Sequence, residues 1–108
     1  MIKVLQKEVQ EFERKVLEKI NDSTIDHSKP YKKSKRLEII VVERENDKAD
    51  VNLFYAMQYA RMFGQFDITF HEIMKDVDMK DACKAARELK EMLPAFRIVF
   101  NEYEEEIF

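Results

Sequence analysis

The chain has 108 residues and a formal net charge of −3, enough for one domain with no room for a second. Charged residues of both signs are interleaved with an ordinary apolar fraction, which argues against a disordered chain and for a well-solvated surface. Gly64 is the only glycine and Cys83 the only cysteine, so a phosphate-cradling loop, a dinucleotide fingerprint and an internal disulfide are all excluded.

The three serines, two threonines and two histidines occur in no nucleophile-elbow context, so acyl-transfer chemistry is not expected. No apolar run approaches the ~20 residues that span a bilayer. The opening residues alternate charge with apolar side chains, unlike a secretory signal. The expectation is a cytoplasmic protein without cofactor or membrane partner.

Ile2, Leu5, Val9, Phe12, Val16 and Ile20 recur at spacings of three and four, which draws one apolar stripe on a helix of about five turns. Glu11 and Lys15 add an i, i+4 pair. The stripe predicts docking on the chain's own core, and Val9 and Phe12 also suit a seam with a second copy.

Residues 21–36 lack a period, contain Pro30 and predict a connector. Lys29, Lys32, Lys33, Lys35 and Arg36, with Tyr31 among them, give this stretch a local excess of three positive charges. Such a loop suits a phosphate backbone, and equally suits solvent or an acidic surface.

Leu37 to Glu43 is the one run of β-branched residues, and Ile39 and Val41 alternate with Ile40 and Val42. Both faces are apolar, which predicts a central strand covered on both sides. Arg44 to Asp50 is turn-like. Asp47 or Asp50 then suits the N-cap of a second helix reaching about Phe63, with Gly64 as its C′ residue. Leu53, Ala56, Met57, Ala60 and Phe63 form one face of that helix. Asn52, Tyr55, Tyr59 and Met62 form a second stripe suited to helix packing, a protein interface or a stacking ligand.

From 65 to 71, Phe66, Ile68 and Phe70 alternate with Asp67, Thr69 and His71, predicting an edge strand with His71 on its wet side. Asp78 stands at the N-cap of an amphipathic helix from Met79 to Leu93, burying Met79, Ala82, Cys83, Ala86, Leu89 and Leu93, and Pro94 stops it. A last strand is expected from Ala95 to about Tyr103, followed by an acidic tail.

The order predicts a single α/β domain over 1–108: a long N-terminal helix (1–21), a basic connector (22–36) and a βαβαβ core (37–108). Its three-stranded sheet has the order 2-1-3, with helices on both faces. The alternative is an α+β sheet containing an antiparallel pair.

Three functions fit. The first is a small non-enzymatic interaction module, a homodimer that binds and modulates a larger protein, of the kind found among phage and mobile-element accessory proteins; Val9, Phe12, Tyr55, Tyr59 and Met62 would carry its interface. The second is a nucleic-acid or phosphate binder using Lys29, Tyr31, Lys32, Lys33, Lys35 and Arg36. The third is a Mg²⁺-dependent phosphotransfer or nuclease-like enzyme using Glu43, Asp76 and Asp78, since hard cations take oxygen ligands. That trio resembles the Glu and Asp-x-Asp set of Toprim-type enzymes in residue types, but Arg44 stands where those enzymes place a glycine. No family is recognised from the chain as a whole.

Overall fold

A computed structural model describes residues 2–22, 32–59 and 66–101. The element order is α1 (Ile2–Asp22), β1 (Lys32–Arg44), β2 (Lys48–Tyr59), β3 (Phe66–Asp78), α2 (Met79–Met92) and β4 (Arg97–Phe100). The four strands form one mixed sheet in the order β3-β2-β1-β4, antiparallel from β3 to β1 and parallel between β1 and β4. The described residues thus form a mixed α/β fold of two helices and four strands.

The expected second helix is a strand, and this changes the topology from the predicted 2-1-3. Residues 49–57 satisfy both periods: Ala49, Val51, Leu53, Tyr55 and Met57 alternate strictly, while Leu53, Ala56 and Met57 also fit a helical face. The preceding turn decides between them. Asn46 and Asp47 both adopt the left-handed region, with φ of 61° and 58°, a combination that breaks a helix and reverses the chain as hairpin turns do. β2 therefore folds back along β1 from Arg44↔Lys48 to Lys32↔Tyr59, and Asp47 is a turn residue, not a helix cap.

The predicted connector is also shorter than expected, because Lys32 to Arg36 belong to β1. Once β2 lies alongside, the polar run pairs its backbone groups and needs no apolar pattern of its own.

Both helices pack on one face of the sheet, which corrects the expectation of helices on both faces. The large core joins Leu5, Val9 and Phe12 of α1 and Ala82, Ala85, Ala86 and Leu89 of α2 to Ile39, Val41, Val51, Leu53, Tyr55 and Met57. The other face carries a smaller cluster of Ile40, Phe54, Ala56 and Val99. Ile39 and Ile40 are both buried, so the central strand is enclosed on both sides as its sequence implies. One predicted crossover survives: β3, α2 and β4 connect parallel strands, and β4 runs beside β1 from Glu38↔Arg97 to Val41↔Phe100.

Candidate functional site

β3 lies at one border of the sheet and is 13 residues long. Its ladder with β2 places Thr69 opposite Tyr55 and His71 opposite Leu53, so both polar residues share the face that carries the core. α1 covers them. His71 is consequently 8% exposed, where the sequence reading placed it at the surface.

Glu8 and Lys15 stand two turns apart on one side of α1 and bracket the imidazole. Lys15 Nζ lies 2.8 Å from His71 Nδ1, and His71 Nε2 lies 2.6 Å from Glu8 Oε2. An ammonium can only donate, so Nδ1 accepts, and Nε2–H donates to the carboxylate. The Phe12 ring flanks the same histidine at 6.5 Å between centroids. This constellation buckles α1 to β3. Nearby, the buried Thr69 Oγ1 has no partner among the described residues, a cost of about 1–3 kcal/mol.

A groove of about 500 Å³ runs beside this buckle, lined by Lys15, Glu18 and Lys19 of α1 and by Ile68, Thr69 and Phe70 of β3. Glu18 is engaged by Arg14 at 2.8 Å, which leaves the lysines to set the character of that wall. Phe70 is 45% exposed.

The opposite side of the sheet holds a different cluster. Glu38, 1% exposed, accepts from Arg36 at 2.9 and 2.8 Å and from Arg97 Nε and Nη2 at 3.0 and 2.7 Å. A carboxylate at this depth is tolerable only when paired and hydrogen-bonded. The register Glu38↔Arg97 between β1 and β4 supplies one guanidinium, and the i, i+2 spacing within β1 supplies the other on the same face. A shallow groove of about 390 Å³ lined by Arg36, Leu37, Glu38, Ala95 and Arg97 opens here.

At the far end of the hairpin, Asp50 Oδ1 accepts from Arg44 Nε and from the Asp76 backbone N–H, each at 2.7 Å. Asp76 has φ of 54° and sits where the β2–β3 register shifts, so Asp50 clamps a β-bulge. Burial pushes the Asp50 carboxyl up, but the Arg44 hydrogen bond, the Asp76 N–H and the charges of Arg44 and Lys75 together hold it below the usual range. Asp78 is lowered by its hydrogen bond from Lys48 and by that lysine's charge. It occupies the N-cap position of α2 without a side-chain cap bond, because its carboxylate goes to Lys48 at 2.6 Å.

Of the acidic residues proposed as a metal set, only Asp78 has its carboxylate engaged by these contacts, through Lys48. Asp76 and Glu43 take part through their backbone N–H groups, Asp76 to Asp50 Oδ1 at 2.7 Å and Glu43 to Asn101 Oδ1 at 2.8 Å. Among the described residues no group of three or more His, Cys, Asp or Glu side chains converges to hold a metal ion.

Of the residues proposed for an interface, Val9, Phe12 and Tyr55 lie in the chain's own core. Burial there leaves α1 with Val4 and Leu17 as its exposed large apolar side chains among the described residues. Tyr59 ends β2, and Met62 lies outside the described residues. Of the basic set, Lys29 and Tyr31 also lie outside. Lys32, Lys33, Lys35 and Arg36 fall on β1.

Sequence reasoning missed Lys15, Lys19 and Phe70 as one constellation, and likewise Glu38 with Arg97. A lone carboxylate beginning an apolar strand, Leu-Glu-Ile-Ile, is a signal that Glu38 needs a buried partner. The partner's identity depends on register.

No helix among the described residues is long and apolar enough to cross a membrane. No protein family matches the chain, and no curated protein or solved structure matches it.

Proposed function

We propose that the protein is a non-enzymatic interaction module that binds a larger protein by accepting one of its segments as an added strand on β3. One observation carries this reading: among the described residues, a 13-residue strand at the sheet border has no neighbour on its outer side, and its Phe70 is exposed. Unpaired strand edges are templates for added strands, and soluble proteins blunt them unless they are used. The irregularities at Asp76 and between Glu72 and Met74 lie in the second half of β3 and leave residues 66–72 in regular register.

The test is amide hydrogen exchange on the protein with and without a partner captured from its native host. Slowed exchange at residues 66–72 is the expected result, together with loss of capture by Phe70→Lys. Protection confined to α2 or β4 refutes the edge as the binding surface.

A second reading, phosphate or nucleic-acid binding, is favoured by Arg97, which lies beside Arg36 at the basic start of β1. Phosphate contacts make affinity fall steeply with salt. A gel shift that is tight at physiological salt and lost in Lys32→Glu with Lys33→Glu would place this reading first; no shift is expected.

A further inference from the structure

We infer that the groove between α1 and the outer side of β3 takes an extended strand with acidic residues on one face and apolar residues on the other, contributed by a different protein and not by a second copy of this chain. The inference rests on the edge-pairing reading above and specifies its ligand.

The groove is lined from both faces of β3. Thr69 belongs to the helix-covered face and Ile68 and Phe70 to the opposite one, so the groove follows the border of the strand and does not cross a face. α1 packs on β3 and α2, and its Lys15, Glu18 and Lys19 form the groove's other wall. A segment seated there is a fifth strand lying under a helix that is already in place.

This geometry disfavours self-pairing. Neighbouring strands lie about 4.8 Å apart, whereas packed helices need about 8–10 Å between axes. A second copy offering its own β3 would bring its own α1 to the same border, and the two helices would compete for one space. A strand without a helix above it meets no such obstacle.

The walls then specify the ligand. Lys15 and Lys19 stand one turn apart, and the only carboxylate in the lining, Glu18, is paired with Arg14. Lys15 is held in place by His71, so its charge is positioned before any ligand arrives. On the opposite face, Phe70 and the half-buried Ile68 offer apolar surface. Because side chains alternate along a strand, one segment can present carboxylates to the lysines and apolar groups to Phe70. Thr69 lies between these walls, and a turn about its χ1 would exchange its methyl for its unpartnered hydroxyl.

The probe is a short peptide of alternating Glu and Val, compared with the same peptide carrying Lys for Glu, with binding followed by fluorescence anisotropy and by amide exchange. The Glu peptide should bind about tenfold more tightly, the scale of two exposed ion pairs, with β3 amides protected and the preference weakened by salt. Lys19→Glu, at an exposed position, should abolish or invert that preference. Equal binding of both peptides with β3 protected overturns the acidic specificity while edge pairing stands. Protection of β3 by neither peptide overturns the edge reading itself. A dimer in sedimentation that Phe70→Lys dissolves identifies a second copy as the occupant and overturns the inference.

Discussion

The two sides of the sheet solve the burial of polar groups differently. On the β1–β4 side, a carboxylate is enclosed by two guanidiniums, whose planar forks meet it with several hydrogen bonds. The β4 strand that completes this cluster has four residues. On the β3 side, an imidazole is bracketed by an ammonium and a carboxylate from a helix, a hydroxyl stays unpartnered, and the strand is three times as long. The first arrangement locks strand to strand. The second fastens a helix beside a border that can still accept something. The side with fully satisfied buried charge is structural, and the side with polar potential to spare is the better candidate for recognition.

The largest expected effect tests the lock. Arg36→Ala with Arg97→Ala leaves Glu38 buried without its guanidinium partners, and should cost about 3–5 kcal/mol in chemical denaturation. Each single variant should cost much less, because the other guanidinium remains. If the double variant loses no more than the sum of two small effects, Glu38 reaches solvent easily and the contrast between the two sides fails.

Next comes the buckle. His71→Ala removes one acceptor and one donor at a nearly buried site and should cost about 1–3 kcal/mol, with faster amide exchange in α1 and unchanged exchange in β4. Uniform loss of protection across the sheet would show that the buckle is not local. A smaller effect of opposite sign is expected from Thr69→Val, which removes the unpartnered hydroxyl at nearly constant volume. It should be neutral or stabilising by up to about 1 kcal/mol, and a clear loss of stability would mean that the hydroxyl already has a partner.

The mildest perturbation is acid. The carboxyls of Asp50 and Asp78 are lowered from the ordinary value of 3.8, so the stability they add is complete above that value and is lost as pH falls toward their folded-state values. Stability should therefore be insensitive to these groups near neutral pH and decline below about pH 4. Asp50→Asn should flatten the decline and increase exchange at the Asp76 bulge. An unchanged acid profile in that variant would remove Asp50 as a clamp.

How much could be foreseen depends on whether a feature is local in the chain. The stripe Leu5, Val9 and Phe12 forms a helix wherever it lies, and burial of Ala82, Ala86 and Leu89 follows from spacing, whereas Met79, Cys83 and Leu93 of the same expected face are only half-buried and Ala85, not expected there, is buried. The run from Ile39 to Val42 declared itself a central strand because four consecutive apolar side chains cannot share one face. Even the border position of β3 was visible in its alternation.

The stretch from Ala49 to Tyr59 was not settled in that way. Its helix-forming Ala, Met, Leu and Gln residues fit two periods, and the hairpin with β1 selects one of them through a left-handed turn at Asn46 and Asp47. Once that segment becomes a strand, both helices fall on one face, and the basic run from Lys32 to Arg36 gains a partner for its backbone.

The candidate site is less legible still. Lys15 and His71 are 56 positions apart, and Glu38 lies 59 from Arg97. Composition and periodicity report on neighbours along the chain, so they determined α1, α2, the central strand and the interleaved balance of charge. Strand register and the placement of α1 decide which distant side chains share a groove, and those arise only when the sheet closes and the helix docks on it.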